Sequence, residues 1–315
     1  MKKTELSAAQ AGPGQEELPA RVQEALGDLV TAAREGLLAL SVGVGLGILA
    51  ELMARRLDDV RLEVLMLDGI ELKGRTNIVA LGITTEGVKI PLGLWEGSTE
   101  NATVATALLS DLVERGLDPE RGMLFVIDGS KELRKTIRDV FGEAPVQRCV
   151  RHKERNVLDH LPERDRPAVR RRLRQAWALD DHEQALERLK LLAGELERSH
   201  PGAATSLREG IAETLTLTRL GISGSLTRTL AWTNPCESMI ACVRRTSRNV
   251  KRWSSGEMAL RWTAAGMLEA ERQFRRVIGY RDLARLVVAI EHVVSGRAQP
   301  DPTHTPTEQA TVVGS

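Results

Sequence analysis

Asp68 closes the apolar run VLMLDG and Asp128 closes LFVIDG, so two buried-looking strands stop on the same Asp-Gly pair; a third acid, Glu237, follows in WTNPCESM. Each has an ordinary structural reading. An Asp-Gly pair makes a turn after a strand. Asn234, Pro235 and Glu237 have the spacing of a capping box, with Asn234 as N-cap and Pro235 at the first helical position. Together the two aspartates say more. If their strands are neighbours in one sheet, both carboxylates project from the same region, and like charges that close repel unless a cation lies between them. Such a pair suits Mg2+, which favours oxygen ligands and keeps positions open for phosphate. A third carboxylate is then expected near the start of a later helix, where Glu237 stands.

The elements that must position these acids are legible in outline. Three strands, 62–73, 76–87 and 88–98, follow one another with connections short enough for an antiparallel meander. TENATVATALLSDLVERGLD reads as a helix capped by Ser98 or Thr99 and ended by Gly116. A strand over 122–128, a helix over 131–142 and a short strand in PVQRCV come next. The order β-β-β-α-β-α-β predicts an α/β fold with a mixed sheet flanked by helices. Residues 152 to about 220 are helical and polar with no strand signal, GISGSLTRTLAWTNP breaks that run, and 235 to about 292 is helical again. Residues 1–20 and the tail from Ser295 have disorder-like composition, and 20–60 is helical in pattern.

Composition sets bounds rather than a function. The chain has 315 residues, 42% apolar and 28% charged, with a net charge of +1 that argues neither for nor against a nucleic-acid partner. Three cysteines make no disulfide framework for this length, which points to a reducing cytosol. The stretch LLALSVGVGLGILAELMA is Gly-rich, contains Glu51 and is too short in its apolar part to span a bilayer. It also starts too late for a signal peptide.

Four ordered blocks, LMLDGIELKGR, FVIDGSKEL, RCVRHKERNV and NPCESMIACVRRTSRNVKRW, resemble the catalytic blocks of bacterial IS256-family transposases, relatives of Mutator-like elements. The resemblance covers about 50 to 292. It implies a ribonuclease H-like fold with a large all-helical insertion between the second Asp and the Glu. The chain then divides into a helical N-terminal region (1–60), a first core part (61–151), the insertion (152–230), a second core part carrying the Glu (231–294) and a tail (295–315). The family's acidic triad falls on Asp68, Asp128 and Glu237, which would hold two Mg2+ or Mn2+ ions for DNA strand cleavage and transfer at the ends of an insertion sequence. The implied partners are terminal inverted repeats, target DNA and further copies of the chain, in the bacterial cytoplasm at the nucleoid. Family members carry a substantial helical region before the first Asp that recognises the terminal repeats. Only residues 1–67 precede Asp68, and the junction of LSVGVGLG with ILAELMARRLDD suggests an internal deletion there. The alternative is a catalytically silent remnant that binds DNA and interferes with intact transposase.

The family's Cys-x-x-His element falls on Cys149 and His152, as active-site support. Zinc is a competing reading, but Cys236 and Cys242 are poorly spaced to complete the site; Cys149 is most simply a core residue, and His152 is equally a structural histidine opening a helix. Local charge points to DNA more than net charge does. Between 148 and 174 ten Lys/Arg face four acids, and between 244 and 261 six basic residues face Glu257 alone. From these clusters Arg148, Arg151, Lys153, Arg155, Arg244, Arg245, Arg248, Lys251 and Arg252 are the expected phosphate contacts, against the plainer reading of solvated helix faces. Trp232 and Trp253 would stack on an unpaired base or pack in the core.

Overall fold

The computed structural model describes residues 42–72, 74–250 and 255–296. The chain forms two compact units, Met1–Gly47 and Ile48–Ser315. In the first, residues 42–47 are helical. The expected opening segment up to residue 41, most of the expected tail, and Lys251, Arg252 and Trp253 lie outside the described residues.

The second unit opens with helix α1 (48–53) and is built on a five-stranded sheet. The strands are β1 (Leu62–Leu72), β2 (Arg75–Thr84), β3 (Lys89–Glu96), β4 (Leu124–Ile127) and β5 (Val146–Arg148), in the order β3-β2-β1-β4-β5. The pairs β1–β2 and β2–β3 are antiparallel, as their short connections require, whereas β1–β4 and β4–β5 are parallel. The parallel strands are reached through the crossover helices α2 (Ala102–Glu114) and α3 (Lys131–Phe141). The cap of α2 is Asn101, not Ser98 or Thr99: its side chain accepts from the N–H groups of Thr103 and Val104, leaving Thr99 for another task.

Both faces of the sheet are covered, which is why β1 reads as an unbroken apolar run. Leu65, Leu67, Phe125 and Ile127 pack against Leu108 and Leu112 of α2 and Leu133 and Ile137 of α3. Val64, Met66, Ile70 and Val126 face the opposite layer. That layer is α10 (Asn234–Thr246), α11 (Gly256–Gln273) and α12 (Leu283–Val294), through residues such as Met239, Met267 and Leu286.

Between β5 and α10 the described chain is helical throughout. It comprises α4 (Val150–Asp159), α5 (Arg166–Trp177), α6 (His182–Ser199), α7 (Pro201–Arg208), a 3-10 turn (Ala212–Leu215), α8 (Thr216–Arg219) and α9 (Gly224–Leu230). The expected loop 221–235 thus contains a helix, because its Gly/Ser signal is spent in the turn before α9. Leu173, Leu189, Leu192 and Leu207 give this segment a core of its own. It also covers the open edge of β5. The buried Gln147 amide donates to Thr214 O (2.9 Å) and accepts from Leu217 N–H (3.1 Å), standing in for a sixth strand. No described helix is long and apolar enough to cross a membrane.

Candidate active site

The parallel register of β1 and β4 runs from Val64↔Leu124 to Leu67↔Ile127, so Asp68 and Asp128 are the next residues on adjacent strands. Their surroundings differ, which corrects the reading of two equivalent turns. β1 does not end at Asp68: it continues to Leu72 because its antiparallel partner continues, with Asp68 opposite Val79 and Gly69 opposite Ile78. Asp128-Gly129 is a true turn, with Gly129 at φ 114. There Asp128 Oδ1 accepts from Ser130 N–H (3.0 Å) and Oδ2 from the Thr99 hydroxyl (3.3 Å). Ser130 Oγ donates to Thr99 O (2.7 Å) and caps α3 by accepting from Leu133 N–H (3.1 Å).

Asp68 is 6% exposed, and one of its oxygens accepts from Gly69 N–H at 2.9 Å. Burial pushes its carboxyl up to about 6; the His152 charge opposes this, and the Asp128 and Glu237 carboxylates add to it. The three acids and His152 therefore share one electrostatic neighbourhood.

Glu237 lies in the first turn of α10, but the expected capping box does not form. The helix starts one residue early, at Asn234, with Thr233 before it and no side-chain cap bond. The Glu237 carboxylate instead accepts from the Thr233 hydroxyl (3.4 Å) and pairs with Arg151 (3.1 Å). The Thr233 hydroxyl also meets the Cys149 sulfur at 3.5 Å, linking this helix start to that of α4. Cys149 is buried; burial alone would raise its thiol, but the adjoining His152 outweighs that and lowers it. Reciprocally, Cys149 holds the His152 imidazole above its ordinary value against the opposing effect of burial. His152 Nδ1 is buried without an aligned partner. Cys236 and Cys242 are packed in the core beneath α10. Among the described residues no group of three or more His, Cys, Asp or Glu is arranged to hold a metal ion.

The basic residues divide by environment. Arg148 and Lys153 are both buried, although Arg148 keeps an edge on the cleft at Asp128. Arg148 donates to Glu209 O (3.0 Å), and Lys153 is fully buried with its ammonium on the carbonyls of Ser206 and Glu209. Burial pulls Lys153 down to about 8. Much of the 148–174 cluster is consumed between helices: Arg170 and Arg174 pair with Glu154, and Arg172 with Glu195. Arg151, Arg155, Arg244, Arg245 and Arg248 are exposed, with Arg245 donating to Gln273 (3.1 Å). Arg155 and His152 line a cleft of about 450 Å3 together with Asp128. Trp232 is half-buried and packs against the core.

Sequence reasoning missed Thr99, Ser130 and Thr233, single hydroxyls with no motif. It also missed a basic stripe at 131, 134, 135 and 138, whose helical spacing was available to be counted.

The Mutator-family transposase model matches residues 46–277, a span that contains all three acids. The transposase for insertion sequence element IS6120 of Mycolicibacterium smegmatis is 27% identical over 256 residues, 79% of this chain and 78% of that protein. The transposase for IST2 of Acidithiobacillus ferrooxidans is 24% identical over 216 residues, 69% and 72% of the two chains. Against the transposase for ISRM3 of Rhizobium meliloti (strain 1021), identity is 27% over 199 residues, 63% of this chain but 49% of that protein. With the family model covering well over half of its length, this chain belongs to the Mutator family of transposases.

Proposed function

We propose that this chain cleaves and rejoins DNA strands at the ends of an insertion sequence, by divalent-metal-dependent phosphoryl transfer. In this reading the sheet and its helices are a ribonuclease H-like core and 152–230 is an insertion into it. The observation that carries the proposal is the β1–β4 pairing that leaves Asp68 and Asp128 side by side, with Asp68 held near a pKa of about 6 by burial and by its acidic neighbours. The donor set fits Mg2+ or Mn2+: three carboxylates, hard oxygen ligands whose mutual repulsion a cation would relieve. Asp68 and Asp128 would hold the ions, and Glu237 would join them on leaving Arg151. Two bound ions would supply activation of the attacking water or 3′-hydroxyl and stabilisation of the leaving oxygen.

The protein's own groups orient the acids. Thr99 and the Ser130 N–H fix Asp128, and the Gly69 N–H fixes one oxygen of Asp68. His152, when protonated, would place positive charge beside Asp68. Arg151, Arg155, Arg244, Arg245 and Arg248 are exposed and would contact phosphate in this reading. Assembly of several copies on paired ends and target DNA, at the nucleoid, follows from the same reading. A second reading, a silent DNA-binding relative that interferes with active transposase, is favoured by one feature: the Glu237 carboxylate is paired with Arg151. Nicking and strand transfer on labelled DNA carrying the element's end, with Mg2+ or Mn2+, separates the two. Activity lost in Asp128→Asn supports the first; salt-sensitive binding with no cleavage supports the second.

A further inference from the structure

α3 begins three residues after Asp128, and its exposed face carries a pattern that neither the motifs nor the site absorb. Lys131, Arg134, Lys135 and Arg138 recur at i, i+3, i+4 and i+7, one continuous stripe on a helix. Opposite the stripe, α8 contributes Arg219, and together they line a groove of about 520 Å3 floored by Pro145 and Val146 at the sheet edge. Acids are outnumbered there, Glu143 and Glu213 against five basic residues. Glu213 is engaged by Arg134 (2.7 Å), and Lys131 pairs with Glu209 (2.8 Å). Lys135, Arg138 and Arg219 are exposed and make no ion pair among the described residues. Four like charges along one wall with a fifth, Arg219, facing them repel one another, which opposes stability rather than serving it.

The groove also leads somewhere. A smaller cavity of about 170 Å3 shares Lys131, Arg134 and Glu213 with it. That cavity in turn shares Gly129, Ser130 and Arg148 with the cleft at Asp128. The three spaces therefore adjoin as a trough from Asp128 along α3 and out between α3 and α8, its outer part mainly basic and its inner part also holding Glu100, Glu132 and Glu209.

We propose that this trough is a track for a DNA phosphodiester backbone, carrying one strand between the acidic site and the outer edge of the sheet. The proposal rests on the function given above and names where its substrate lies. From Lys131 to Arg138 the stripe covers about 10 Å at ~1.5 Å per helical residue. Measured along a duplex axis, at ~3.4 Å per nucleotide of one strand, that is the reach of roughly three nucleotides. The two ion pairs at the inner end would open as phosphates take over Lys131 and Arg134.

The test measures binding of the full chain to a fluorescein-labelled DNA strand and its duplex, in EDTA, across a salt series. Lys135→Glu/Arg138→Glu/Arg219→Glu is compared with Arg188→Glu/Lys190→Glu/Arg198→Glu, an equal charge change on the exposed side of α6. The groove triple should lose at least about tenfold in affinity, and its log–log salt slope should become shallower by roughly 2–3. The α6 triple should stay close to wild type. The neutral version, Lys135→Ala/Arg138→Ala/Arg219→Ala, should shift the same way by less, which guards against misfolding of the charge-reversed form. Equal losses in both reversal triples, or no loss in the groove triple, would overturn the proposal. So would displacement of the probe by inorganic phosphate as effectively as by unlabelled strand at equal phosphate concentration, which would mark a phosphate pocket instead of a track. Because EDTA removes the metal requirement, a chain that binds in this way but never cleaves would refute the proposed function and leave the track standing.

Discussion

A carboxyl that is almost wholly buried and titrates near pH 6 carries a cost at neutral pH, and its sign can be worked out. Asp68 is raised from 3.8 to about 6 by burial, with His152 opposing and Asp128 adding. Between those values the folded state binds the proton more tightly than the unfolded chain does. The stabilisation is fully present below about pH 4 and is lost as pH rises through about 6. A shift of that size corresponds to about 3 kcal/mol at most. Asp68→Asn should accordingly be more stable than wild type above pH 7, by about 1–3 kcal/mol, with the gap closing toward pH 4. Urea denaturation in EDTA measures this, and a gap independent of pH would mean that Asp68 is not the titrating group. Adding Mn2+ should stabilise wild type and leave Asp68→Asn unmoved. Arg151 makes a second case. Its pair with Glu237 is half-exposed, 57% and 32% for the two side chains, so it is worth no more than about 1 kcal/mol. Arg151→Ala should leave stability within about 0.5 kcal/mol of wild type. It should lower the Mn2+ concentration for half-maximal stabilisation by about two- to fivefold, because Glu237 no longer has to be released. A higher Mn2+ requirement would show that Arg151 organises Glu237 and does not compete for it.

At the scale of elements, the Asp128 turn is held by a guanidinium between two glycines. A Cβ on Gly129, at φ 114, would collide with Arg148 Nε, and one on Gly210, at φ 64, would collide with the same side chain from the other side. Gly129→Ala should cost about 2–4 kcal/mol, from the positive φ and the clash together. In Gly129→Ala/Arg148→Ala the clash is gone and the φ strain remains, so the double variant should lose at least about 1 kcal/mol less than the sum of the singles. Strict additivity in denaturant titrations would remove Arg148 from the turn. This turn was half legible in the sequence, because Asp-Gly after an apolar run has a local cause. Asp68-Gly69 carries the same letters inside a strand, as the expected span 62–73 allowed, and the continuation of β2 opposite it is what keeps the strand going there. The meander was readable from its short connections. The start of α10 was misplaced by one residue because Thr233 and Asn234 are both good cap residues. The basic cluster at 148–174 misled for a different reason: counting charges along a chain does not reveal that α5 points its arginines at Glu154 and Glu195.

At the scale of the molecule, apolar burial among the described residues is divided among three clusters, two on the faces of the sheet and one inside the helical segment between β5 and α10. The third has little continuity with the others. Trp177 is a half-buried residue that packs against both this cluster and the sheet layer, and its indole N–H donates to Thr214 at 3.1 Å. Separate clusters unfold as separate cooperative units when their contacts are mostly internal. Leu189 is fully buried at the centre of the helical cluster, so Leu189→Ala should remove about 2–5 kcal/mol from that unit. Amide hydrogen exchange should then show α5 and α6 losing protection while β1, β2 and β4 keep theirs. Protection lost equally in sheet and helices would mean one cooperative unit and would contradict the division. The consequence reaches the acids through the end of α7, where Glu209 accepts from Arg148 and Lys153 and pairs with Lys131 beside the Asp128 turn. Loosening the helical unit should therefore raise exchange at Gly129 and Ser130 before it touches Asp68, which is held from within β1. That order of loss is expected if the helical segment acts as a clamp on one acid of the site and leaves the other to the sheet.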